Sequence, residues 1–387
     1  MEPRGPDQLR KSAAGAARAI AAHARPPIVN SLLLTPELFS SEGGIVRILR
    51  LYLKALCELA TEGESVRLLS LNDGVMDSTE LRHYSTAALA EWQVCNRRRL
   101  AFCLAAWQLS RKSDRIICGH VAQLPVVWLA SKLNRRFSYY LVAHGIEVWR
   151  PFSFLERRAI AGARCIFCVS EFTRQQLIQR IPLAPGRTAV LHNALDPFLD
   201  PPTQTMAAKG PPVILAISRL SAADNYKGIE HLIAAMPAVL QTVPDAQLRI
   251  VGRGDGLPQL QALARRLQMD RSVHFVGYLS DSEVKAEFEG SWLFALPSQK
   301  EGFGLVYLEA MAHGRPCLGA RSGGVPEVIT EETGVLVDYG DVAGIGTAIV
   351  GALGRKWDTQ AILDRARTFS YPKFRERLAL LLSNAAS

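Results

Sequence analysis

Short apolar runs alternate with longer amphipathic stretches along nearly the whole chain, and this alternation constrains the fold more than any other feature. It is the pattern of α/β units wound around parallel sheets. In the first half it predicts strands at 28–34, 66–71, 115–118, 139–143, 165–169 and 188–191. A helix is expected over 45–59, with Val46, Leu49, Leu53 and Leu56 on one face, and another over 172–180, N-capped by Ser170. A second series predicts strands at 213–217, 247–251, 273–276, 292–296, 316–320 and 334–337. Helices are expected there over 229–240, 259–267, 305–313 and 373–382. The 387 residues, 48% hydrophobic, suffice for two cores. The division expected is a loosely ordered leader over 1–27, a first doubly wound domain over 28–200 and a linker over 201–212. A second doubly wound domain over 213–367 and a last helical segment over 368–387 complete it. The linker lies in a Pro-, Thr- and Gln-rich stretch that starts at Asp196. Two such domains face each other across a cleft, and their ligands bind at the carboxyl ends of the strands.

Several function classes drop out on composition. No run approaches the roughly 18 apolar residues of a membrane span, and the Ala- and Arg-rich start lacks the apolar core of a signal peptide. The seven cysteines mostly fall inside apolar segments. Cys165 and Cys168 form a C-x-x-C within a strand-like run, with neither a helix start nor a second ligand pair to suit redox or zinc chemistry. A reducing cytoplasm is the expected compartment. The net charge of +9 is uneven. Residues 1–90 hold 10 basic and 10 acidic side chains, 91–200 hold 16 and 7, and the remainder balances. The basic stretch, with Arg97-Arg98-Arg99 followed by an apolar run over 100–109, suits an anionic membrane surface. A solvated basic face is the plain alternative. No nucleic-acid-binding motif accompanies the charge, so no nucleic-acid partner is assigned.

The densest chemistry lies in Glu301-Gly-Phe-Gly-Leu-Val-Tyr-Leu-Glu309. A carboxylate on a loop, a Gly302-Phe303-Gly304 turn and a helix opening at Leu305 offer close backbone approach and unpaired N–H groups for a diphosphate. Glu309, about a turn into the helix, is placed to accept from ribose hydroxyls. Ile217-Ser-Arg219 ends a strand, and Lys227 lies eight positions on, near the next helix. Fixed cations there would stabilise a departing diphosphate. Gly252 ends another strand in a Gly-x-Gly-x-Gly loop.

Glutamates eight apart around Gly-Phe-Gly, followed by Ser322-Gly-Gly-Val-Pro-Glu327 and Thr333-Gly-Val-Leu-Val337, resemble the E-x7-E segment of glycosyltransferase family 4. The resemblance spans about 28–380. It implies the GT-B fold, with the acceptor on the first domain, the donor on the second and the C-terminal helix crossing back. It further implies a metal-independent retaining enzyme with no cofactor beyond its nucleotide-sugar substrate. Glu301, Arg219, Lys227 and His144 are then the catalytic candidates. Glu309, Gly302, Phe303, Gly304, Leu305, Gly252, Val276, Gly277, Tyr278, Gly43 and Gly44 are the donor-binding ones. Glu147, Ser170 and Glu171 are further candidates for the cleft; His120 and His192 are read as structural. The loop between Arg219 and Lys227 is longer than the family's.

The reading that follows is transfer of a hexosyl unit from GDP-mannose or a UDP-sugar to a glycan or lipid-linked acceptor. Its setting would be cell-surface polysaccharide or glycolipid synthesis, in the cytoplasm or on the inner face of the plasma membrane. A sugar-nucleotide epimerase of the same fold and a nucleotide-sugar-binding protein without catalysis are the alternatives.

Overall fold

The computed structural model describes residues 28–41, 43–134, 136–198 and 210–384; the expected leader and residues 201–209 of the expected linker lie outside them. The first sheet has seven parallel strands: β1 (Ser31–Thr35), β2 (Val66–Ser70), β3 (Leu89–Val94), β4 (Arg115–Cys118), β5 (Ser138–Ala143), β6 (Cys165–Cys168) and β7 (Thr188–Val190). Their spatial order is β3-β2-β1-β4-β5-β6-β7, with Ser31 opposite Val66 on one side and Arg115 on the other. The second sheet has six: β8 (Val213–Ile217), β9 (Gln247–Val251), β10 (Val273–Gly277), β11 (Leu293–Leu296), β12 (Cys317–Ala320) and β13 (Gly334–Val337), in the order β10-β9-β8-β11-β12-β13. Both are doubly wound, Rossmann-like sheets. Each changes its direction of growth between its first and fourth strands, and the crevice at that switch is where ligands bind.

The strand sequences follow from burial on both faces. Every residue of β1, Ser-Leu-Leu-Leu-Thr, and of β11, Leu-Phe-Ala-Leu, is buried, as in parallel sheets covered by helices on both sides. Helices Gly44–Leu59 and Tyr371–Asn384 cover one face of the first sheet. Helices Arg99–Ser110, Leu124–Leu133 and Phe154–Gly162 cover the other.

The C-terminal helix thus follows the second sheet in sequence but packs on the first. The chain crosses over where the Leu195 N–H donates to the Phe369 carbonyl (2.9 Å). Tyr371, Phe374, Leu378 and Leu382 recur at helical spacing and are buried; side chains of this size contribute roughly 1.5–3 kcal/mol each. Phe374 meets Tyr52 edge-on at 5.1 Å, and Glu58 accepts from the Tyr371 hydroxyl (2.8 Å) and pairs with Arg375 (2.9 Å).

Asp196, where the linker-like composition begins, still belongs to the first unit. It accepts from the Tyr84 hydroxyl (2.6 Å), and Phe198 packs on His83 and Tyr84. Among the described residues, no helix is long and apolar enough to cross a membrane.

Candidate active site

The sequence-expected residues emerge at the carboxyl ends of strands at or next to the two switch points. Arg219 follows β8, and Glu301 lies on the loop after β11. Gly43 precedes the helix after β1, and His144 follows β5.

Glu301 and Lys227 form the centre of the second-domain side. Their Oε2 and Nζ atoms are 2.7 Å apart, and both side chains are less than a fifth exposed. Lys227 is held there by the stretch that lengthens its loop. Ser221 caps a kinked 3-10 segment over Ala222–Lys227, whose Tyr226 carbonyl accepts from the Gln299 N–H (2.7 Å) of the Glu301 loop. Gly228 then turns back in the left-handed region (φ 74°) against the Pro297 carbonyl and opens helix Ile229–Thr242. Arg219 differs. Its side chain is 71% exposed, and it pairs at 3.0 Å with Asp224, which also accepts from the Tyr226 hydroxyl (2.8 Å). The extra residues therefore tether both cations rather than separating them.

The first domain meets this loop through backbone. A Cβ on Gly302 would lie 2.0 Å from the His144 carbonyl oxygen, and one on Gly145 2.8 Å from the Gly302 Cα. Only glycine permits that approach, and Gly145 (φ 143°) also needs it for its backbone conformation. Helices Gly44–Leu59 and Leu305–Ala312 start beside each other, with Leu305 Cδ1 at 3.6 Å from a Cβ built on Gly44. Two helix N-termini, one from each domain, thus converge beside Gly43, Gly44 and Gly304, an environment suited to a diphosphate.

His144 is buried, and its Nε2 lies 2.8 Å from the Gly119 carbonyl. A carbonyl only accepts, so Nε2 carries the proton and Nδ1 is left as an acceptor; Nδ1 is buried with no protein partner. Burial pushes the imidazole down to about 4, keeping it neutral. Glu147, expected at the cleft, turns inward: its carboxylate accepts from the His144 (2.5 Å) and Gly145 (3.2 Å) N–H groups and fixes the turn, and burial raises its pKa. Ser170 caps helix Glu171–Arg180, and Glu171 pairs with Arg174 at 2.6 Å, so both serve that helix.

Phe303 also departs from its expected place. Its buried ring stacks on His192 (5.4 Å) and meets Phe369 edge-on, because it is the apolar plug where the domains join. There Glu327 accepts from the N–H groups of Glu171 (2.8 Å) and Phe172 (2.9 Å) and faces His192 Nε2 at 3.2 Å. Burial opposes its charge, yet these hydrogen bonds hold its pKa below the usual carboxylate value. Gly252 donates to the Gly277 carbonyl (2.8 Å), which joins two expected donor-side segments. Beyond them Val276 is half-buried, and Tyr278 is exposed beneath the Arg253 guanidinium (4.4 Å).

Glu309 has a partner that sequence reasoning missed. Arg47, from the first domain's helix Gly44–Leu59, reaches across the cleft to its carboxylate and also lies 3.7 Å from Asp281. Burial raises the Glu309 pKa and Arg47 partly offsets this, while the Glu309 charge raises that of Arg47. The available signal was a basic residue one turn into the helix after a Gly-Gly loop.

Two family models match the chain, one described as Glycosyltransferase Family 4 over residues 43–197 and one as Glycosyl transferases group 1 over 211–355. The GDP-mannose-dependent alpha-(1-6)-phosphatidylinositol monomannoside mannosyltransferase of Mycolicibacterium smegmatis is 31% identical over 314 residues, 72% of this chain and 78% of that protein. The chain belongs to glycosyltransferase family 4. The glycogen synthase of Mycobacterium tuberculosis is 31% identical over 241 residues, 62% of this transferase and 53% of that enzyme. Among solved structures, Anabaena HepE in complex with UDP and glucose superposes with a TM-score of 0.72 at 22% identity, covering 92% of this glycosyltransferase and 100% of that chain. Sucrose-phosphate synthase from Thermosynechococcus elongatus gives 0.72 at 21%, over 93% and 100%. The fold of this family member is therefore GT-B. Among its described residues, no group of three or more His, Cys, Asp or Glu side chains is gathered as a metal site. Burial raises the thiols of Cys165 and Cys168, the opposite of what a reactive pair needs.

Proposed function

We propose that the chain is a retaining, metal-independent hexosyltransferase that uses a nucleotide-diphosphate sugar and glycosylates a glycan or lipid-linked acceptor. The observation that carries this reading is the buried Lys227–Glu301 pair beside two converging helix N-termini. Charge develops on the diphosphate as the glycosidic bond breaks. Lys227, Arg219 and the start of helix Leu305–Ala312 stabilise it more in the transition state than in the ground state. The acceptor oxygen attacks the anomeric carbon from the face the diphosphate leaves, and its proton passes to a phosphate oxygen, so no metal and no strong protein base is required. Glu301 holds donor-sugar hydroxyls and favours positive charge at the anomeric carbon. The bare Nδ1 of His144 accepts from a sugar hydroxyl. Glu309 takes ribose hydroxyls in place of Arg47.

GDP-mannose is the donor to test first, because the Mycolicibacterium relative is a GDP-mannose-dependent enzyme; UDP-sugars come second, because Anabaena HepE is seen in complex with UDP and glucose. A role in cell-surface polysaccharide or glycolipid assembly, at the inner face of the plasma membrane, fits the basic first domain. A thermal-shift screen against GDP, UDP, ADP, TDP and CDP and their sugars tests the reading. One base series should stabilise the protein, and Glu309→Ala and Arg219→Ala should abolish the effect. No stabilisation by any nucleotide at millimolar concentration refutes it, and donor consumption without an acceptor would indicate epimerisation instead.

A further inference from the structure

The ion pairs at the cleft are of two kinds. Lys227–Glu301 and Arg219–Asp224 each join residues of the second domain. Arg47–Glu309 instead joins helix Gly44–Leu59 of the first domain to helix Leu305–Ala312 of the second. Among the described residues, Arg47 is the only hydrogen-bond donor to the Glu309 carboxylate. The second domain restrains Glu309 through its backbone, where the carbonyl faces His313 Nδ1 at 2.8 Å. Around the carboxylate it adds like charge: burial raises the Glu309 pKa, Arg47 offsets part of this, and Asp281 adds to the rise. A buried acid answered by a side chain from across the cleft is not bracing its own domain. It is an acceptor whose donor is exchangeable.

The position of the guanidinium says what it is exchanged for. The two helix N-termini that converge beside Gly43, Gly44 and Gly304 suit a diphosphate. Arg47 and Glu309 each lie about one turn further along these two helices. A nucleoside diphosphate seated at the N-termini therefore brings its ribose beside the Glu309 carboxylate, where the Arg47 guanidinium already lies. With Arg47 in place the Glu309 side chain is 12% exposed. A carboxylate that accepts from two ribose hydroxyls needs both oxygens open, so the two occupants exclude each other. The displaced guanidinium is not stranded. Asp281, exposed at the start of helix Asp281–Gly290, lies 3.7 Å from its Nη2.

We infer that Arg47 is an internal competitor for the nucleotide ribose. It holds the Glu309 carboxylate, and with it the two halves, until a nucleoside diphosphate replaces the guanidinium with ribose hydroxyls and Arg47 turns to Asp281. The inference rests on the proposed function and adds a first-domain residue that sets nucleotide affinity by opposing it. Linkage between two mutually exclusive partners is reciprocal. Whatever the ion pair contributes to the free protein is subtracted from the affinity for a ribonucleotide, as for any site whose competent state is only partly populated. Removing Arg47 should therefore strengthen recognition of the ribose. A pair that merely braced the donor site would weaken it when broken.

Isothermal titration calorimetry of the full chain with GDP, UDP and their dideoxy counterparts, which lack both ribose hydroxyls, tests it. The readout is the ratio of ribonucleotide to dideoxynucleotide affinity, in which effects on the diphosphate cancel. Arg47→Ala should raise that ratio by about tenfold over wild type. Arg47→Gln, which keeps the length without the charge, should raise it similarly and carries the test should Arg47→Ala not fold. Adding Arg47→Ala to Glu309→Gln should leave the ratio unchanged, because the contested carboxylate is gone. A ratio that is unchanged or lowered by loss of the Arg47 charge overturns the inference and leaves the transferase reading standing. So does a rise that persists in the Glu309→Gln background. Failure of both nucleotides to bind wild type and variants alike removes the transferase reading and this inference together.

Discussion

The two domains bring different material to the cleft. The second presents side chains: the Glu301 carboxylate, the Lys227 ammonium, Arg219 and Glu309. The first presents mostly main chain, at Gly43–Gly44 and at His144–Gly145, with Arg47 reaching into the other half. Chemistry that moves charge needs fixed ions, and the second sheet builds these on short, tethered loops. Positioning needs fixed distances, and the first sheet supplies them through backbone contact. A substitution should therefore act through charge on one side and through geometry on the other.

The largest effect should come from the charged side. Glu301→Gln keeps the shape but removes the charge, and should lower kcat by about a thousandfold while leaving nucleotide-induced stabilisation in place. Initial rates beside thermal shifts check this, and full turnover with donor bound would end both roles considered for Glu301. On the backbone side, Gly302→Ala forces a methyl group against the His144 carbonyl. An ångström of displacement there should reduce kcat/KM by about a hundredfold, with every charged group intact. Equal turnover by Gly302→Ala and wild type would break the contrast between the halves.

The next effect crosses the boundary. Arg47→Ala strands a mostly buried Glu309 and should lower stability by about 2 kcal/mol, read by urea unfolding; Arg47→Lys should restore part of it. The smallest near neutral pH concerns His144. Its folded pKa of about 4 lies below the unfolded value near 6.5, so as pH falls the unfolded chain takes up the proton first. Stability should decline between about pH 6.5 and 4, by under about 1 kcal/mol at pH 6 and about 3 kcal/mol by pH 4. His144→Asn should lack that part of the slope, and identical pH–stability curves would mean that the ring is not buried as described.

What was legible in the sequence divides along the same line. The α/β alternation gave most strands within a residue or two, because strands buried on both faces read as unbroken apolar runs. Strand β3 escaped, since as an edge strand, Leu-Ala-Glu-Trp-Gln-Val, it alternates between half-buried and exposed positions and holds no such run. The helix Val342–Gly354 escaped too; its four glycines and apolar remainder give little helical period, and Gly346 lies against helix Ile229–Thr242 instead. The Glu301–Glu309 segment was readable because one stretch of chain carries its residues in fixed spacing. The Arg47–Glu309 pair joins positions 262 apart, and the contact of Gly145 with Gly302 depends on atoms that glycine lacks. Neither leaves a local trace. The inward turn of Glu147 was hidden for a related reason: a carboxylate beside a cleft and one folded onto its own backbone have the same sequence.

The bare contact between Gly145 and Gly302 also acts as a mechanical stop. Side chains at an interface can change rotamer and let two bodies settle at several separations, but two stretches of main chain without Cβ atoms meet at a single distance set by their own radii. Substitutions elsewhere can alter how readily the halves come together. Of the contacts that join the halves, this one tolerates the least change in separation, like a jaw whose bite is set by its hinge-side shoulder rather than by its teeth.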